Sequence, residues 1–182
     1  MRQVLIPLSC ALALSATALW AEDEDPGGVL NPDEMTWRSV LDRAEDGETG
    51  MVICSMGYAL TKSGDHGSAR TLFRNCAEAG YTGAMTWMSQ LDNNGLGEDY
   101  DPEASATWDQ RAAELGDPVG KFNHGLNLMR GHGIAKDEVL GRRYVDEAAS
   151  EGLEIARRLQ GAGYDLDEVT PDADNWKYAP LF

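Results

Sequence analysis

AEAGYTGAM (77–85), AELGDPVGK (113–121) and ASEGLEIAR (149–157) align without a gap. Set under one another, they put Gly80, Gly116 and Gly152 in one column, at spacings of 36 and 36 residues. AEDGETGMV (44–52) is a fainter echo that places Gly47 33 residues ahead of Gly80. Other columns agree at the same offset. Cys76-Ala77 lies over Ala112-Ala113 and Ala148-Ala149, and Leu72 over Trp108 and Tyr144. Gly95-Leu96-Gly97 lies over Gly131-His132-Gly133, and Asp101 over Asp137. So many coincidences mark a tandem repeat, and a period of about 20–50 residues marks a solenoid or array.

Each unit reads as two helices. Ala84 to Leu91 carries no helix breaker, and Gly95-x-Gly97 stops that helix because glycine accepts positive φ without a Cβ clash. Asp101-Pro102-Glu103 opens the next one, with an acceptor at N-cap and a proline at the first helical position. Asp117-Pro118 repeats the device. Asn31-Pro32-Asp33-Glu34 predicts a capping helix over 32–46, with Glu34 placed to complete a capping box. The paired alanines let neighbouring helix axes approach closely, and Leu72, Trp108 and Tyr144 fill the wider gap one turn earlier. No single unit buries its own apolar face, so stability has to come from neighbours. The expected fold is all-α: an α–α superhelix, or solenoid, of three helix-turn-helix repeats with capping helices. The units are 47–79, 80–115 and 116–151, followed by a partial one at 152–163.

The flanks and the charge bound the function. The chain has 182 residues, with 31 Asp+Glu against 15 Lys+Arg, for a net charge of -16. That balance excludes a nucleic-acid reader, which needs a basic footprint, and disfavours anionic lipid surfaces. Residues 1–21 read as a secretory signal peptide cleaved after Ala21: Arg2 precedes an apolar stretch from Val4 to Trp20 that ends in small residues. That predicts a periplasmic or secreted protein with no membrane span after cleavage. An acidic, flexible segment follows at 22–31. Two cysteines then remain, Cys54 and Cys76, and an oxidising compartment favours a bridge between such a pair. The tail at 164–182 is acidic and then aromatic, with Trp176, Tyr178, Leu181 and Phe182 around Pro180. It reads either as a strap over the last apolar face or as a hydrophobic end captured by a peptide-binding domain.

The repeat columns resemble the Sel1-like repeat, a relative of the tetratricopeptide repeat with a longer inter-helix loop. Its pattern is A-x4-G-x-x-Y…G-x-G…D…A-x-x-W/Y-x3-AA-x-x-G. Residues 116–152 carry Gly125, Gly131, Gly133, Asp137, Tyr144, Ala148, Ala149 and Gly152 of it; residues 80–116 carry Ala84, Gly95, Gly97, Asp101, Trp108, Ala112, Ala113 and Gly116. Ser89 stands where the mid-helix glycine belongs, and Gly141 where a small helix-B alanine belongs. The loop at Ser63–Gly67 is closer in length to a tetratricopeptide turn. The resemblance implies an interaction scaffold with no fixed chemistry. Cysteine-rich secreted members bridge each hairpin, which implies a Cys54–Cys76 disulfide although the positions are a residue or two off that register. The other reading is two small buried apolar residues.

Reactive motifs are absent from the mature chain: no HExxH, GxSxG or SxxK occurs. No catalytic residue, cofactor or metal site is expected. His66, His124 and His132 are scattered; His124 occupies a position where the family places a buried leucine, and His132 reads as a solvated loop residue. Asp92, Asn94, Gly97 and Glu103 match positions 1, 3, 6 and 12 of a calcium loop, but Leu96 and Tyr100 fail the count and the repeat already explains the glycines. In helix pairs of this family the first helices line the concave side. There the columns offer Met85, Trp87, Gln90, Lys121, Asn123, Asn127 and Arg157 as a partner-binding face, an aromatic, amide and cationic set that suits a peptide or helix. Trp87 and Phe122 also read as core. Arg130, Arg142, Arg143, Arg157 and Arg158 suggest docking of an acidic partner or of the chain's own tail. The expected function is a non-enzymatic protein–protein interaction module that binds another envelope protein, with regulation of a sensor-kinase ectodomain as a variant the family implies. Two rivals stand beside it: a cell-wall or β-lactam-type ligand-binding or hydrolytic protein, and a structural spacer.

Overall fold

The computed structural model describes residues 36–169. The expected signal peptide, the acidic segment, the opening of the helix expected from residue 32 and the tail beyond 169 lie outside the described residues. Within them the chain forms eight helices and no strand. These are α1 (Trp37–Glu45), α2 (Met51–Ser63), α3 (His66–Glu78), α4 (Thr82–Asn94), α5 (Pro102–Glu114), α6 (Pro118–Arg130), α7 (Glu138–Ser150) and α8 (Glu154–Gly161), followed by a 3-10 turn at Leu166–Glu168. Helices α2–α3, α4–α5 and α6–α7 pair as hairpins, and each hairpin packs on the next through α3 with α4, α5 with α6, and α7 with α8.

The caps are those the repeat demands. Asp65, Asp101, Asp117 and Asp137 each accept the backbone N–H three residues on, at the starts of α3, α5, α6 and α7. Gly80, Gly116 and Gly152 sit at φ 95°, 87° and 103°, the left-handed turn that lets one hairpin hand over to the next. Helix α1 begins at Trp37, where Thr36 and Ser39 form a capping box: the Ser39 N–H donates to Thr36 Oγ1 at 3.1 Å, and the Thr36 N–H to Ser39 Oγ at 2.9 Å. The short first unit also has a local cause. Gly64 and Asp65 alone link α2 to α3, where residues 95–101 and 131–137 link the later pairs.

Two apolar clusters fill the solenoid. The first joins α1 to α5 and includes Val40, Leu72, Met85, Met88 and Leu91. The second joins α6 to the 3-10 turn and includes Phe122, Leu126, Val145, Leu159 and Val169. Ala112, Ala113, Ala148 and Ala149 are buried at the helix contacts, as paired small residues must be for close stacking. Cys54 and Cys76 are disulfide-bonded across the first hairpin, with Cα atoms 5.9 Å apart.

Candidate functional site

Between the two clusters the helices leave a groove of about 590 Å³. Helix α4 supplies Thr86, Trp87, Ser89, Gln90, Asn93 and Asn94, α5 supplies Ser105 and Asp109, and α6 supplies Asn123, Asn127 and Arg130 among others. Its floor is polar. Asp109 is 3% exposed, and its Oδ1 accepts from Asn123 Nδ2 at 3.1 Å while its Oδ2 accepts from Asn127 Nδ2 at 2.9 Å. Burial pushes this carboxyl up to about 6, against the opposing pull of hydrogen bonds from Ser89, Asn123 and Asn127. The Ser89 and Ser105 hydroxyls lie 3.0 Å apart. That pair explains the serine at the family's glycine position. One unit on, Gly125 and Gly141 cross so closely that a Cβ on Gly125 would stand 2.8 Å from the Gly141 carbonyl oxygen. In the earlier crossing two hydroxyls bridge the space instead.

An aromatic shelf leads into the groove. Trp87 is half-buried and stacks on Phe73 with ring centroids 5.6 Å apart and planes 4° from parallel, while Tyr58 meets it edge-on at 5.5 Å. It is therefore a core partner and a groove wall at once. At the other end Arg130 donates to the Val169 carbonyl at 3.0 Å, and burial holds its guanidinium pKa below the ordinary value.

Of the seven residues expected on the partner face, the groove brings together four: Trp87, Gln90, Asn123 and Asn127. Three are elsewhere. Met85 is 1% exposed and belongs to the first apolar cluster, because its position on α4 faces inward. Lys121 pairs with Glu151 and Glu147 of α7 and its following turn. Arg157 pairs with Glu154 at 2.7 Å and caps the Ala149 carbonyl at 3.1 Å. Arg142 and Arg143 are likewise engaged within the hairpin, with Glu138 and Glu147. Most of the cations that read as a docking patch are thus paired within their own helix or hairpin, and Arg130 and Arg157 also reach backbone carbonyls of other elements. Sequence reasoning passed over Asp109, although an Asp in the apolar register of α5 was the available signal.

Asp92, which heads the loop that fails the calcium count, is turned to a cation: its Oδ1 accepts from Arg70 Nη1 at 2.6 Å, with both side chains almost wholly buried. Arg70 Nε also donates to the Leu96 carbonyl, which ties down the inter-helix loop. Among the described residues, no group of three or more His, Cys, Asp or Glu could hold a metal. His132 is half-buried, with Nε2 2.7 Å from Asn93 Oδ1 at the groove rim, and is not a free loop residue. His124 packs edge-on against Tyr144 at 4.8 Å, yet its buried Nδ1 has no partner.

No protein-family model matches the chain, and no curated protein matches it. Solved structures do. A Sel1 repeat protein from Oxalobacter formigenes shares 27% identity at TM-score 0.57, over 68% of this chain and 96% of that one. The protective antigen c5321, present in uropathogenic Escherichia coli strains and displaying an SLR fold, shares 21% at TM-score 0.56; the match covers 70% of this chain and 29% of the antigen. Helicobacter pylori cysteine-rich protein B shares 18% at TM-score 0.53, over 67% of this chain and 90% of that one. With the 36-residue columns, the glycine handovers and the stacked hairpins, these likenesses show that the chain has the Sel1-like repeat fold.

Proposed function

We propose that the chain is a non-enzymatic interaction module of the cell envelope, which holds an extended segment of another protein in the α4–α6 groove. The observation that carries this reading is the groove itself: an aromatic wall at Trp87 and amides from Gln90, Asn123 and Asn127 converge on one concavity. Amide side chains pair with the backbone of an extended segment, and an aromatic anchor supplies desolvated area. A Cys54–Cys76 bridge supports an oxidising compartment, and no helix among the described residues is long and apolar enough to cross a membrane. Regulation of an envelope partner is the finer form of the proposal. A photocrosslinker placed at Gln90, which is exposed on the groove rim, tests it in the native cell. The expected result is a discrete adduct that Trp87→Ala reduces at least about tenfold; absence of any Trp87-dependent adduct across growth conditions would sink the reading.

One observation favours a second reading. A carboxyl pushed up to about 6 in a groove with two hydroxyls is also what a small-ligand or hydrolytic site would show. The Ser89 hydroxyl bonds both Asp109 and Ser105, which makes it the group such a site would use. Turnover of a chromogenic β-lactam or of cell-wall fragments, abolished by Asp109→Asn, would establish it over the first.

A further inference from the structure

Among the described residues, the two buried carboxylates are compensated differently. Asp92 faces Arg70, an equally buried guanidinium 2.6 Å away. Asp109 faces only neutral donors, from Ser89, Asn123 and Asn127. The charged and titratable groups on the elements that wall it are turned elsewhere, with His124 of α6 against the Tyr144 ring and Lys121 on Glu151. On α4, Asp92 is turned to Arg70; on α6, Arg130 is bonded to the Val169 carbonyl; beyond α6, His132 is held by Asn93; on α5 itself, Arg111 lies over the Trp108 ring. Yet Asp109 opens on the groove. Each of the two asparagines turns its NH2 group to the carboxylate, and its carbonyl oxygen remains an acceptor. The floor is thus rich in acceptors and short of one positive charge.

We propose that a partner supplies that charge: the Asp109–Asn123–Asn127 cluster is a subsite for one lysine or arginine side chain of the segment bound in the groove. The inference rests on the groove reading above and adds a chemical identity to it. A buried carboxylate without a countercharge is costly in the free protein, and an entering ammonium or guanidinium removes that cost by pairing with it and with the asparagine oxygens. An acidic side chain is excluded by the same floor. The carboxylate must be ionised to do this, so capture weakens as Asp109 takes up its proton.

Displayed random dodecapeptides selected on the protein supply the probe; one selected peptide is then synthesised with its basic residue intact or replaced by norleucine. Selected peptides should share a lysine or arginine. Norleucine should weaken binding to the wild type about tenfold or more, and binding to Asp109→Asn by less than about twofold, with circular dichroism verifying that this variant is folded. The wild-type protein gives an independent readout. With a carboxyl at about 6, only about a tenth of the molecules carry the charge at pH 5, so affinity should fall about tenfold there from its value at pH 7.5. His132→Gln should keep that fall, which separates the carboxylate from the neighbouring imidazole. Trp87-dependent peptides without a basic residue, or indifferent to norleucine, overturn the subsite and leave the groove reading standing. Recovery of no Trp87-dependent peptide overturns both.

Discussion

Asp109 is where stability and binding pull against each other. Its carboxyl lies at about 6 when folded, against 3.8 for the unperturbed group, and burial is the main cause. A group that holds its proton more tightly in the folded state favours folding as pH falls. The penalty is therefore absent below about pH 4, grows between about 4 and 6, and is complete above 6, where it is worth about 3 kcal/mol. Asp109→Asn should raise stability at pH 7 by roughly 1–3 kcal/mol and change it little at pH 4, as read by urea denaturation at both values. His124 acts in the opposite direction. Burial lowers its pKa below 6.5, partly offset by Glu114, so the folded state resists protonation and loses stability as pH falls below about 6.5. His124→Leu removes both this loss and the orphaned Nδ1, and should stabilise by about 1 kcal/mol at pH 7 and by more at pH 5 in the same assay.

The first hairpin differs from its successors as an element. Its inter-helix link is short, and Cys54 and Cys76, 22 residues apart, staple α2 to α3. Closing a loop of that length stabilises by roughly 3 kcal/mol through the unfolded chain. The Cys54→Ala, Cys76→Ala double variant should lower the thermal midpoint by several degrees, and adding reductant should then shift the wild type and leave the double variant unmoved. The later hairpins use long glycine-bounded loops, anchored in one case by Arg70 on the Leu96 carbonyl. The bridge sits where such a loop anchor is missing.

Across the whole described solenoid, the polar groove floor separates the two apolar clusters. Stacked repeats behave as near-neighbour systems, in which a break in the apolar core divides cooperative units. Native-state hydrogen exchange in mild denaturant should show residues 37–114 and 118–169 opening with separable free energies. Leu159→Ala should lower protection in the second unit by roughly 2–5 kcal/mol and leave the first nearly unchanged. Uniform loss across both units would show that the junction couples them fully.

The helical hairpins, their order and their 36-residue spacing were legible without coordinates, because caps and helix-ending glycines act locally: an aspartate reaches an N–H three residues on, and a glycine's φ depends on its own Cβ. The groove was half legible. Repeat columns placed Trp87, Gln90, Asn123 and Asn127 on one side, but a column does not distinguish a side chain that faces solvent from one turned into a neighbouring helix. Hence Met85 proved to be core, and Lys121 and Arg157 proved to be ties between helices. Whether Asp92 and Asp109 have countercharges depended on residues 22 and 14 or 18 positions away, brought near by stacking. Local chemistry wrote the elements into the chain; which buried charge found a partner, and which was left facing a groove, emerged only when the hairpins packed.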